Sequence, residues 1–267
     1  MTQQHAPAVD AVRGFGLSAF SLAGRRAIVT GGNTGLGHAF SAALAGAGAD
    51  VFVPSITPDD GVTAELVTGH GRRYVSMEAD LTQPGTPAEA VRRCVEELGG
   101  VDILVNSAGI CLLADVEDFD RTQWDPMVAV NMTAAFEASH AAATQMRRQG
   151  GGKIINIASL FSFLGGRQSP AYAATKAGIV GLTKAYCDEL AAHNVQVNAI
   201  APGYFATAIT SATRTDDDAS RRIVEHIPAA RWGDPADLMG ALVFLASPAS
   251  DYVNGHTLVV DGGYLVR

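Results

Sequence analysis

The chain has 267 residues, 48% apolar and 17% charged, with 29 glycines and a formal net charge of −8. That length and apolar content suit one large soluble domain with a sizeable core and exclude a disordered chain. The acidic balance argues against nucleic acid, which needs a basic footprint, and no apolar run is long enough to span a bilayer.

Residues 1–20 lack the apolar stretch of a signal peptide and read as a partly disordered extension, with the folded domain expected over 21–267. Short runs rich in Val and Ile lie at 26–30, 49–54, 74–79, 101–106, 153–159, 195–200 and 257–260. Most are continuously apolar, as strands buried on both faces are. Helical patterns fill the gaps at 35–47, 87–98, 122–148, 172–193 and 235–246. Thr86-Pro87 and Asp234-Pro235 are helix-start signals. The alternation, with no repeat or linker, predicts a single doubly wound Rossmann-type α/β domain. Its parallel sheet should have about seven strands and helices on both faces. Cys94, Cys111 and Cys187 form neither a disulfide framework nor a zinc pattern, and no metal constellation is found. They read as buried small apolar residues in a reducing cytoplasm.

The first strand runs into Thr30-Gly31-Gly32-Asn33-Thr34-Gly35-Leu36-Gly37, followed by a helical pattern. Gly31 permits a tight exit, Gly35 close approach of a pyrophosphate, and Gly37 close packing of the helix on the sheet. A glycine-rich turn between first strand and helix meets the context test for a dinucleotide site. Further on, Tyr172 and Lys176 stand four residues apart and share a helix face. The ammonium should lower the phenol's pKa and make it a working acid and base. Alone, such a pair is as well explained by an amphipathic surface.

Gly-x-x-x-Gly-x-Gly together with Tyr172-x-x-x-Lys176 resembles the short-chain dehydrogenase/reductase family, from Leu22 to the C-terminus. Other positions match in order: Asp80, Asn106-Ser107-Ala108-Gly109, Asn131, Ser159, and Pro202-Gly203 with Thr207. Ser107 departs from the usual Asn. The resemblance implies that Tyr172 is the general acid/base and that Lys176 tunes it and holds the nicotinamide ribose. It implies that Ser159 steadies the substrate oxygen and that Asn131 seats a relay water. Around the cofactor it implies Gly31, Asn33, Thr34, Gly35, Leu36 and Gly37 at the turn, and Ser55, Asp80 and Leu81 at the adenosine end. Asn106, Ala108 and Gly109, Tyr172 and Lys176, and Pro202, Gly203 and Thr207 complete that set.

Ser55 occupies the position after the second strand where an Asp would signal NAD, and no Arg follows at Ile56. Without a cation for a 2′-phosphate, NAD is favoured over NADP. The substrate walls are expected at 160–168 and 204–230, with Ser159, Phe161, Arg167, Tyr172 and Tyr204 touching the substrate. The acidic triplet Asp216-Asp217-Asp218 reads as a solvated loop tip. Several local strings are similar to the branch of 2-deoxy-D-gluconate 3-dehydrogenases and 2-dehydro-3-deoxy-D-gluconate 5-dehydrogenases. That likeness implies hydride transfer on a secondary alcohol or ketone of a sugar acid or polyol. A ketone or 3-oxoacyl-carrier reductase is the second enzyme reading, and a catalytically silent dinucleotide-binding sensor is the reading from another class. The family also implies a homotetramer with a small-molecule substrate and no nucleic-acid or membrane partner.

Overall fold

The computed structural model describes residues 14–267. The extension expected over residues 1–20 lies outside the described residues as far as residue 13; its last stretch, Leu17–Phe20, is a 3-10 turn. Phe20 rests against Phe244, ring centres 6.4 Å apart.

Seven strands form one parallel sheet: β1 (Arg26–Val29), β2 (Asp50–Ser55), β3 (Tyr74–Glu78), β4 (Ile103–Asn106), β5 (Gly152–Ile157), β6 (Val195–Pro202) and β7 (Thr257–Val260). Their order is β3-β2-β1-β4-β5-β6-β7, so the chain reverses direction across the sheet between β1 and β4. Ile28 pairs with Phe52 on one side and Leu104 on the other, which fixes the register at that reversal. Alternate strand residues point to opposite faces. Val29, Val53, Val105 and Ile155 pack under α1 (Leu36–Gly46) and α9 (Met239–Ala246). Ile28, Phe52, Leu104 and Ile154 pack on the other side under α3 (Thr86–Leu98), α5 (Ala134–Gln149) and α6 (Pro170–Leu190).

The helix expected at 122–148 is α4 (Arg121–Val128) running into α5 through a π turn at Ala129–Thr133. Three helices fall outside the expected set: α2 (Val62–Thr68), α7 (Ser211–Thr215) and α8 (Asp217–His226). The acidic triplet is therefore not a loop tip. Asp216 caps α8 by accepting from the N–H groups of Asp218 and Ala219, and Asp217 and Asp218 lie in its first turn, where the helix dipole favours acids. Of the cysteines only Cys94 is fully buried; Cys111 and Cys187 are half-buried. No helix among the described residues is long and apolar enough to cross a membrane.

Candidate active site

The site forms where β1 and β4 part. Thr30 holds the two strand ends together, its hydroxyl accepting from the N–H groups of Ser107 at 2.9 Å and Ala108 at 3.0 Å. The motifs did not mark Thr30 as functional; its place directly after β1 was the available signal. A cleft of about 270 Å³ opens above, near the lower end of the roughly 300–1,000 Å³ usual for small-molecule sites. Thr34, Gly35, Leu36 and Gly37 of the turn line it together with Ala108 and Gly109 after β4. Ser159, Tyr172 and Lys176 line it too, as do Pro202, Gly203 and Thr207 at and beyond the end of β6.

Gly35 precedes α1 at φ +51°, a backbone that side chains disfavour, and a Cβ there would face open space. Gly37 is required for a different reason than expected. A Cβ on it would meet the Gly31 carbonyl and the Gly32 Cα, so it packs against its own turn rather than the sheet. Asn33 ties the turn to the end of β2, donating to the Thr57 carbonyl at 2.8 Å, while its Oδ1 is buried with no partner. Beside it a second cavity of about 150 Å³ is lined by Asn33, Ser55, Thr57, Asp59 and Glu78.

Tyr172 and Lys176 share a face of α6, with Lys176 Nζ 5.6 Å from the centre of the phenol ring. The expected lowering of the tyrosine is reversed. Burial dominates and pushes Tyr172 up to about 12; a nearby Cys111 adds to this, and a hydrogen bond to Ser159 opposes it. The ammonium donates to the Ile157 carbonyl at 2.7 Å, and burial lowers it to about 8. Ser159 follows β5 and also accepts from the Phe161 N–H at 3.2 Å, so it caps a 3-10 turn as well as meeting the phenol. Phe161 lies edge-on to Tyr172 at 5.9 Å.

Asn131 lies in the π turn, 2% exposed. Its Oδ1 accepts from the Ile110 N–H at 2.8 Å and its Nδ2 donates to the Ile110 carbonyl at 2.9 Å and to Thr175 at 3.4 Å. The side chain thus clamps the loop after β4 against α6, directly beside Lys176. Asn106 does not line the cleft. It donates into a buried chain through Ser139 and Asn156, the latter donating to Thr183, bracing β4, β5 and two helices. Leu81 is buried against Ala79 and Ala134, and Asp80 is engaged by Thr82 and Gln83, which hold its carboxyl below the usual range.

Two loops are the expected substrate walls. Gln168, at φ +63°, donates to Asp115 at 2.7 Å, and Ser169 donates to the Leu112 carbonyl at 3.0 Å, stitching the loop after β4 to the start of α6. Cys111, expected as a buried apolar residue, is half-buried with its Sγ 3.7 Å from the Ser169 hydroxyl. Arg167 is exposed and outside the cleft lining. Tyr204 also lies outside that lining, packed on Trp232 and Tyr264 at 5.6 and 5.2 Å.

These features fit a nicotinamide dinucleotide. The exposed backbone at Gly35, the N-terminus of α1 with no side-chain cap and the partnerless Asn33 oxygen suit an anionic, hydroxyl-bearing ligand laid from Ser55 to Tyr172.

A family described as Enoyl-(Acyl carrier protein) reductase matches residues 31–265. The chain is 58% identical over 259 residues to an uncharacterized oxidoreductase, YgcW, of Escherichia coli, covering 97% of this chain and 99% of that one. It is 50% identical over 254 residues to the 2-dehydro-3-deoxy-D-gluconate 5-dehydrogenase of the same organism, covering 94% and 99%. Among solved structures, a gluconate 5-dehydrogenase from Burkholderia cenocepacia in complex with NADP and tartrate superposes with a TM-score of 0.88 at 37% identity, covering 94% and 99%.

Proposed function

Because the chain belongs to the short-chain dehydrogenase/reductase family, we propose that it moves hydride between a nicotinamide dinucleotide and a secondary alcohol or ketone of a gluconate-type sugar acid. The observation that carries this reading is the convergence of Ser159, Tyr172 and Lys176 on one cleft with the glycine turn. That convergence also weighs against a catalytically silent sensor.

The cofactor supplies the hydride chemistry; this chain supplies position and the proton. In reduction, neutral Tyr172 gives its phenolic proton to the substrate oxygen, and in oxidation its phenolate takes the alcohol proton. Ser159 hydrogen-bonds the same oxygen and steadies its developing charge. Lys176 stabilises the phenolate as it forms and reaches the nicotinamide ribose hydroxyls. Asn131 keeps the wall beside Lys176 in place, where a water would link the ammonium to solvent.

NAD as the preferred form is supported by the cavity beside Ser55, where Asp59 and Glu78 would face a 2′-phosphate and no Lys or Arg lines the wall. This preference rests on that cavity alone, since the Burkholderia relative was solved with NADP. A homotetramer in the cytoplasm is the accompanying proposal. In its support, Met132, Phe136, Gly178 and Leu182 form an apolar groove along α5 and α6 on which a second copy would pack. A second reading, a 3-oxoacyl-carrier reductase, draws on the matched family's description and on exposed Phe163, Leu164 and Ile209 in the substrate-side loops.

One assay tests these readings: purified protein with NAD or NADP against hexonates, polyols, simple secondary alcohols and, with the reduced cofactors, acetoacetyl-CoA, followed by nicotinamide absorbance. Turnover of a simple alcohol or of the acyl thioester without any hexonate activity retires the sugar-acid reading. A lower KM for NADP than for NAD retires the cofactor preference.

A further inference from the structure

A hexonate carries a carboxylate that the reacting oxygen's partners do not recognise. Lys176 is already assigned to the phenolate and the nicotinamide ribose, and it also donates to the Ile157 carbonyl at 2.7 Å. The two substrate-side loops, residues 159–169 and 203–234, hold five arginines. Arg221 is paired with Asp218 and Glu225, and Arg231 with Asp237. Arg167, Arg214 and Arg222 have no acidic partner within 4.0 Å among the described residues.

All three are exposed and outside the cleft lining, and of them Arg214 is hydrogen-bonded to a lining residue. Its Nη2 donates to the carbonyl of Thr207, a lining residue, across 3.4 Å. The segment beneath is firmly built: Thr210, also a lining residue, donates to the Phe205 carbonyl at 2.6 Å and accepts from the Thr207 N–H at 3.2 Å. Arg214 lies four residues on, in the single turn of α7, its N–H bonded to the carbonyl of Thr210, the residue that opens the turn. A long, weak bond to a neutral carbonyl is readily given up for a carboxylate, which the planar guanidinium meets with two parallel hydrogen bonds.

We propose that Arg214 is the specificity-determining residue that binds the substrate carboxylate, placing the sugar-acid chain so that its secondary alcohol meets Ser159 and Tyr172. This rests on the sugar-acid reading above. The test compares wild type, Arg214→Gln, Arg214→Lys and Arg167→Gln with the hexonate that wild type turns over best and with D-glucitol, a neutral counterpart. Cofactor affinity is read separately by titrating reduced nicotinamide fluorescence.

Losing a charge-assisted pair should raise the hexonate KM of Arg214→Gln by about 10- to 100-fold, with kcat changed less than about threefold. Arg214→Lys should recover part of the loss, while glucitol kinetics and cofactor affinity should move by less than about threefold. An unchanged hexonate KM, an equal loss for glucitol, a weakened cofactor, or the same signature in Arg167→Gln instead overturns the assignment. Failure of wild type on every hexonate overturns the parent reading, and Arg214's role with it. Normal wild-type turnover with an indifferent Arg214→Gln overturns the arginine alone.

Discussion

Lys176 Nζ gives a 2.7 Å hydrogen bond to the Ile157 carbonyl while standing 5.6 Å from the centre of the Tyr172 ring. The same strand that leads to Ser159 therefore positions the ammonium, which locks the proton-handling groups to the carboxyl edge of β5.

Removing the phenol tests the acid/base role. Tyr172→Phe keeps the ring and its edge-on contact with Phe161, so the fold and cofactor affinity should change little. Turnover should fall by about 10²- to 10⁴-fold. Near-normal turnover with intact cofactor titration would remove Tyr172 from the chemistry.

The pH dependence of catalysis follows from Tyr172's position at about 12. Oxidation needs the ionised phenol, which is scarce at neutral pH and grows with pH, so kcat/KM for oxidation should rise by up to about tenfold per unit in the alkaline range. Reduction needs the protonated phenol and should not gain from alkali. A flat oxidation profile between about pH 6 and 9 contradicts this.

Lys176 makes a separate prediction for stability. Its pKa falls from 10.5 to about 8 on folding. Between those values the unfolded chain holds a proton that the folded protein has released, so this residue's contribution to stability rises with pH across that window. Below about 8 the folded state bears the full cost of the buried charge, on the order of 3 kcal/mol. Relative to wild type, Lys176→Met should therefore be more stable near pH 7 than near pH 10, by about that difference in urea denaturation. A gap that does not vary with pH would show that the ammonium is not desolvated.

Asn131→Ala leaves both the N–H and the carbonyl of Ile110 without their partner. Stability should drop by about 2–4 kcal/mol, and turnover by more than about tenfold as the wall beside Lys176 loosens. Asn131→Asp should fall between, since its carboxylate still accepts from the Ile110 N–H but cannot donate to the carbonyl. Chemical denaturation of both variants gives the ranking, and Asp matching Ala would break the two-bond account.

At the turn, Gly37→Ala drives a methyl into the Gly31 carbonyl. Cofactor Kd should rise at least about tenfold and stability fall by roughly 1–3 kcal/mol, with the circular dichroism of the fold retained. Unaltered cofactor binding would mean that the turn yields without cost.

Chain order and hydrophobic pattern were enough to read the strands, because the inner ones are brief apolar runs buried on both faces, while the weaker edge strand β3 was placed by its turn in the alternation. The glycine turn and the Tyr172–Lys176 pair could be marked because each is a spacing within a single element, whereas Ser159 was reached through the family resemblance. What stayed hidden depends on contacts between elements. No local pattern says that Asn106 spends its amide on Asn156, or that Gln168 reaches Asp115. The direction of the Tyr172 shift was missed because helical spacing reports that two side chains are neighbours, but not the burial that raises the phenol. The acidic triplet is solvated as read, but Asp216 was taken for a loop tip because nothing local shows the helix that follows, whose N–H groups it caps.

The π turn at Ala129–Thr133 makes residue count, and not only residue identity, a condition for activity. A π turn holds one residue more than regular α-winding would use, and each helical residue rotates the chain by about 100°. Deleting a single residue there would give a smoother helix by every local measure. It would also swing α5 about its own axis, carrying Ala138, Ala142 and Met146 off the sheet face they now cover. Exchanges at exposed positions of this stretch should be tolerated far better than any change in its length, and a chimera joined through it must preserve the irregular winding to keep the two halves in phase.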